Sequence, residues 1–226
     1  MKPFTKLKWL IALLFIIVHS RSVSAQTKAD IFNPDVPITF LGVDYSQAKF
    51  IGTPTNTSVS FNAWTVVSTK NNGVVTKDEF RDSYTVQWNQ LFIDEEKKYN
   101  VAKALHRTSV KYAIDVCINA NKKLTQKEFF SNNPGDFKTI NESAIAEAVK
   151  NYDFMNNQGI GMLFFVEGMN KGTAEEGMWI TFVDMKSKTV LFTTYESSKG
   201  QGSGFRNYWA KPLYVALKEM DIKKWR

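Results

Sequence analysis

The order of elements along the chain predicts an α/β (α+β) fold: a mixed, twisted sheet of about five strands with three helices packed on it, in the order β-α-β-α-β-β-β-α. Three observations carry that reading. Met162-Leu163-Phe164-Phe165-Val166 is a continuous apolar run of the kind found in strands covered on both faces. Thr76-Lys77-Asp78-Glu79 and Thr139-Ile140-Asn141-Glu142 each have capping-box spacing and precede apolar residues at helical intervals. Two β-rich stretches, 178–185 and 189–195, flank the short turn Lys186-Ser187-Lys188 as an antiparallel hairpin would. Mixed order with one hairpin calls for helices laid against a sheet.

The elements follow in sequence. Residues 26–37 and 52–60 are the loosest stretches. Residues 38–45 are rich in β-formers and make the first strand, with an extension or bulge through 48–51. Residues 61–68 read either as a short strand or as a packed loop. Behind the first capping box, Phe80, Tyr84, Trp88, Leu91 and Phe92 mark one long amphipathic helix reaching 99 or 105. Residues 110–118 read as the next strand. Ile145, Ala148, Val149 and Tyr152 then mark one face of a second helix, and 159–169 is the covered strand. A last helix spans 205–220, where Pro212 either kinks it or opens its second half, since proline cannot donate the intrahelical bond.

The start of the chain reads as a cleavable export signal. Lys2, Lys6 and Lys8 precede an apolar run over 9–18, and Val23-Ser24-Ala25 places small residues where signal peptidase needs them. Cleavage there makes Gln26 the first residue of a single domain over 26–226, in the periplasm or outside the cell. The run of about ten apolar residues is well short of the roughly 20 that span a bilayer. Four of the 29 basic residues belong to this leader, and without them 25 basic stand against 22 acidic. So even a balance does not suggest a nucleic-acid binder, which normally shows a concentrated basic face.

Cysteine and histidine usage removes further classes. Cys117 is alone, so it forms no intramolecular disulfide, and its apolar surroundings suit a buried thiol. With His106 as the one histidine after the leader, no ordinary tetrahedral zinc site is available, and no acid cluster suits calcium. No cofactor is implied. Nothing near His106, Cys117 or any serine resembles the base–nucleophile pairing of a covalent catalyst.

Several blocks resemble a known family. Trp88-Asn89-Gln90-Leu91 followed by Glu95-Glu96-Lys97-Lys98-Tyr99 is similar to a block in secreted Bacteroidetes proteins of uncharacterised function. So are Gly159-Ile160-Gly161 leading into Phe182-Val183-Asp184, and Gly202-Ser203-Gly204-Phe205-Arg206-Asn207-Tyr208-Trp209. Val183 departs from the second phenylalanine expected there. More distantly, the element order and the hairpin pattern from Val183-Asp184 to Thr189-Val190 resemble the α/β domain of the curli-secretion lipoprotein and of the penicillin-binding-protein activator lipoprotein. The resemblance implies a binding or assembly role in the cell envelope, with another envelope protein or a cell-wall component as partner. It carries over no catalytic residue, and topology alone is a weak warrant for function.

Three candidate sites emerge from the residues. Gly200-Gln201-Gly202-Ser203-Gly204 opens the last helix, so Gly202, Gly204, Arg206 and Asn207 are candidates for holding an anion at exposed amides and a guanidinium fork. The spacing fits neither the phosphate-loop nor the dinucleotide pattern, and the alternative is a plain tight connection whose glycines take positive φ. Phe205, Tyr208 and Trp209 form either a partner-binding patch or core, with core favoured for at least two. Asp44 and Asp184, late in different strands, are candidates for paired acids in a hydrolase or, more simply, for turn caps. The charged stretch 94–98 reads as a solvated helix face.

Overall fold

The computed structural model describes residues 25–55, 73–124 and 129–226. Residues 1–24 of the expected leader and the possible strand over 61–68 lie outside them.

The covered strand organises the sheet. β5 (Ile160–Asn170) carries β1 (Ile38–Asp44) and β2 (Lys49–Ile51) end to end along one edge, both parallel to it. Its other edge pairs antiparallel with β6 (Glu175–Asp184), which pairs in turn with β7 (Thr189–Lys199). Two short strands, β3 (Lys111–Tyr112) beside β1 and β4 (Phe130–Ser131) beside β2, complete a seven-stranded mixed sheet. Four of the five expected strands are present at length and the one expected over 110–118 only as the two-residue β3; the extension expected at 48–51 is the separate strand β2, and β4 is the addition.

Both faces of the sheet are covered, as the apolar run requires. Met162, Phe164 and Val166 enter one core, and Leu163 and Phe165 the other. The first core is roofed by α3 (Thr85–Asp94) and α7 (Phe205–Glu219), through Trp88, Leu91, Phe92, Phe205, Trp209 and Leu213. The second is roofed by α5 (Asp115–Asn121) and α6 (Glu142–Lys150), through Val116, Cys117, Ile145 and Val149. Short helical segments α1 (Lys28–Ile31), α2 (Lys77–Glu79) and α4 (Val101–Ala104) fill the ends. None of the described helices is long and apolar enough to cross a membrane.

Three expectations are corrected. The long helix from Thr76 is a series of pieces. Thr76 does cap it, its side chain accepting from the Glu79 amide at 3.1 Å. A π-helical turn at Phe80–Tyr84 then joins α2 to α3, and the chain leaves the helix at Glu95. Asn100 caps the separate α4 by accepting from the Lys103 amide. Secondly, α6 starts two residues later than expected from Thr139, because Asn141 is the residue whose side chain accepts from Ala144.

The third correction concerns residues 110–118, which leave the sheet after Tyr112 and become α5. The cause lies in β1. Its register shifts between Phe40 and Gly42, where Gly42 has φ of 107°. Beyond that bulge two asparagines replace a neighbouring strand. Asn89 of α3 accepts from the Val43 amide and donates to the Val43 and Thr85 carbonyls. Asn121 of α5 accepts from the Tyr45 amide and donates to the Val43 carbonyl. A side chain on Gly42 would place its Cβ 2.1 Å from Asn89 Oδ1, so only glycine allows that approach. With the edge of β1 already satisfied by side chains, β3 has no ladder to continue along.

A lysine-lined cleft as the candidate functional site

The glycine-rich turn is closed on itself by the needs of the helix it opens. Pro212 lies inside α7 and lacks the N–H that would bond the Tyr208 carbonyl four residues back. The Gln201 amide supplies that bond at 3.1 Å, and the Gly200 amide donates to Ala174 at 2.7 Å. Gly202 and Gly204 hold φ of 127° and 76°, conformations natural to glycine. Arg206 turns to Asn207 Oδ1 at 3.0 Å and to the Glu95 carboxylate at 3.5 Å, while its carbonyl accepts from Trp88 Nε1 at 2.9 Å. Arg206, Asn207 and the glycines thus lie in one stretch but address different partners.

The aromatic trio divides as the core reading favours. Phe205 and Trp209 are buried beneath α7, and Tyr208 is half-buried against Gly200. Trp209, fully buried, presents no surface to a partner, which corrects its place among candidate binding residues. The paired-acid proposal is corrected too. Asp44 aligns with Phe165 and Asp184 with Ile160 on β5, five residues apart, or about 17 Å at strand rise. That exceeds the reach of an acid–base pair on one glycosidic bond. Each acid is a turn cap: Asp44 accepts from the Ser46 amide, and Asp184 from Lys186 and Ser187.

Asp44 also anchors a buried network. Tyr152 donates its hydroxyl to the Asp44 carboxylate, and Cys117 Sγ lies 3.7 Å from the same hydroxyl. Burial pushes the Asp44 carboxyl up, an effect opposed by the bond from Tyr152. The Cys117 thiol is pushed well above its ordinary value by burial and by the neighbouring Asp44 charge, so it is not a poised nucleophile. Above this network, between α5 and α6, opens a cleft of about 590 Å³ bounded by Ser46, Lys123, Glu147, Asn151, Tyr152 and Asp153, with alanines between. Its charges are mixed in sign, and Glu147 is already paired with Lys150 at 3.0 Å. Size alone does not give it a chemistry.

Charge of one sign converges elsewhere. Between the 97–106 segment and the C-terminal half of α7 lies a cleft of about 440 Å³, within the range of ligand sites. Its ten lining residues include Lys97, Lys98, Lys103, His106 and Lys218, and no carboxylate. Each side has a local cause. The break after α3 and the Asn100 cap swing Lys97, Lys98 and Lys103 outward while Tyr99 and Val101 are buried. Lys218 stands in the last turn of α7, where a cation suits the helix dipole. Tyr214 forms the floor, with the Lys98 and Lys211 ammonium groups 5.9 and 4.9 Å from its ring centroid. Glu95 stands outside the lining, shared between Lys98 at 3.6 Å and Arg206 at 3.5 Å.

His106 occupies an unusual position in this wall. It is the residue after the cap of α4, with φ of 52°. Its amide bonds the Lys103 carbonyl, and the next amide, of Arg107, bonds that of Ala102. This is the Schellman closure, whose left-handed position is usually glycine. Arg107 then donates to the carbonyls of Ile31, Asn33, Pro34 and Val36, stitching the N-terminal segment down with no carboxylate partner in the described bonds. Burial lowers the pKa of its guanidinium.

Sequence reasoning missed the lysine-lined cleft. Lys97 and Lys98 fall in the stretch read as a solvated face, and His106 is considered there as a zinc ligand and a catalytic base, not as an anion-binding group. The signal lay in three separated segments with an excess of lysine, 97–98, 103 and 218, which only the fold brings together. No group of three or more histidine, cysteine, aspartate or glutamate side chains capable of holding a metal occurs among the described residues.

No protein-family model matches the chain, and no curated protein does. Among solved structures it is similar to the LpoB C-terminal domain from Salmonella enterica, at 9% identity and a TM-score of 0.24, over 83% of this chain and 93% of that one.

Proposed function

We propose that this chain is an exported, non-catalytic binding domain of the cell envelope, and that its lysine-lined cleft receives an anionic group of its partner. The observation that carries this reading is the cleft's composition. Four lysines and a histidine line it without a carboxylate, in a chain whose basic and acidic residues are nearly balanced outside the leader. A recess lined by one sign of charge focuses its field and raises the local concentration of counter-charged ligand. An envelope protein or a cell-wall component bearing phosphate or carboxylate groups fits that chemistry.

The direct test is calorimetric titration with inorganic phosphate of the chain lacking its leader, beside Lys103→Glu and Lys218→Glu. Saturable binding is expected, weakening with added salt, and at least about tenfold weaker in each variant, as loss of close charge pairs implies. Cross-linking in intact cells then identifies the partner, whose capture is lost in the same variants. Phosphate binding that is absent, or unaffected by both reversals, overturns the reading.

A further inference from the structure

A second, smaller cleft adjoins the first and shares a wall residue with it. It holds about 150 Å³, the volume of about five waters and enough for one tetrahedral oxyanion. Its cations are Arg107, Lys223 and Arg226, and its nine lining residues again include no aspartate or glutamate. The shared residue is His106. Of the acids adjacent to the lining in sequence, Asp221 caps the Lys223 amide and pairs with Lys224 at 3.4 Å, Asp30 accepts from Thr27, and Asp35 stands exposed outside the lining.

We infer that the two clefts form one extended site for an anionic ligand carrying two or more phosphate-type groups, with His106 standing between the two positions. The inference rests on the reading of the larger cleft given above. Two independent features support it. Cations line both recesses, and no aspartate or glutamate side chain lines either. His106 also holds a left-handed conformation at a helix end where glycine costs least. Glycine there would open the wall between the clefts; histidine keeps a polar ring in it. Spacing the anionic groups along one ligand lets the second bind intramolecularly once the first is held.

Inorganic phosphate and tripolyphosphate, titrated at matched ionic strength, separate the possibilities. The unaltered chain is expected to bind tripolyphosphate at least about tenfold more tightly than phosphate. Lys223→Glu should remove most of that advantage and leave the phosphate affinity of the larger cleft, the part lost in Lys103→Glu, within about twofold, since Lys223 lies outside that cleft. His106→Gly should raise the melting temperature, because glycine takes the left-handed position freely, yet lower tripolyphosphate affinity several-fold. A purely structural role for His106 cannot produce that opposition. Vesicles bearing a diphosphate-headed lipid form a second arm: Lys223-dependent binding there without tripolyphosphate binding assigns the groups to a lipid headgroup, and the reverse to a free ligand. A tripolyphosphate advantage that survives Lys223→Glu, or affinity unchanged in His106→Gly, overturns the two-position site while leaving the larger cleft standing. Loss of phosphate binding in the unaltered chain overturns both.

Discussion

Glu176 gives the structure its sharpest test. It sits on β6 between Met169 of β5 and Ser198 of β7, fully buried, in the core beneath α7. Neither carboxyl oxygen makes a hydrogen bond, and the Tyr45 hydroxyl and Trp209 Nε1 in the same core are likewise unbonded. Tyr45 lies close enough to influence the carboxyl, but without good geometry. Burial therefore dominates and pushes the Glu176 pKa well above its ordinary 4.5, the approach of Tyr45 opposing only in part. The sign follows. Above about pH 4.5 the unfolded chain releases this proton while the folded chain keeps it, so stability falls as pH rises, by about 1.4 kcal/mol per pH unit. Asp44 adds a slope of the same sign, so the difference between wild type and Glu176→Gln isolates Glu176. Near pH 4 the two proteins should unfold alike. Above about pH 5 the variant should therefore gain steadily on wild type, by up to about 1.4 kcal/mol for each pH unit over which the folded carboxyl stays protonated. The gain levels off where the folded carboxyl finally ionises. Urea melts of both proteins across that range measure it. Parallel stability curves, or a wild type that is the more stable at pH 7, would show that Glu176 is paired or hydrated and refute the reasoning.

Three further outcomes follow from particular contacts. Asn89→Ala removes three buried bonds, two of which complete the edge of β1, and should cost about 3 kcal/mol by urea denaturation; a loss below about 1 kcal/mol would contradict the strand-substitute role. Arg107→Met keeps the apolar stem but frees four carbonyls of the 31–36 segment, so amide exchange there should quicken far more than in β5; uniform exchange would refute it. The exported chain should begin at Gln26 by intact mass. Its amine then meets the Asp184 carboxylate, whose Oδ2 lies 3.3 Å from that nitrogen, and Asp184→Asn should cost the processed chain about 1 kcal/mol; a start elsewhere removes the basis for the pairing.

Patterns that act along a single element were readable in the sequence. The run 162–166 announced coverage on both faces because every residue in it meets one core or the other. The hairpin and the last helix fell near their expected bounds for the same local reason. What could not be read was where one element alters another. Residues 110–118 have strand-forming side chains, yet their fate is decided 70 residues earlier by the bulge at Gly42 and by two asparagines that seal the edge. The break after Asp94 was equally hidden, since 95–98 continues to look helical by composition while Asn100 begins a new cap.

The glycine-rich turn shows how a local pattern misleads about a site. Glycines before a helix with an arginine inside it advertise free amides, and that would hold for an uninterrupted helix. Pro212, twelve residues after Gly200, leaves the Tyr208 carbonyl without its helical donor, and the turn folds back to supply one through Gln201. Gly200 makes this possible, since a Cβ there would come within 2.4 Å of the Tyr208 ring. The turn is therefore part of the helix's own hydrogen bonding. The cations that do converge come from segments with no shared pattern, each ordinary as a solvated lysine and informative only beside the others. That contrast favours the lysine-lined cleft over the turn: a binding site needs charge left uncompensated by the fold. Arg206 and the turn amides Gly200 and Gln201 have internal partners, while of the cleft's cations Lys98 alone shares a described ion pair, with Glu95 outside the lining, and no carboxylate lies in the lining itself.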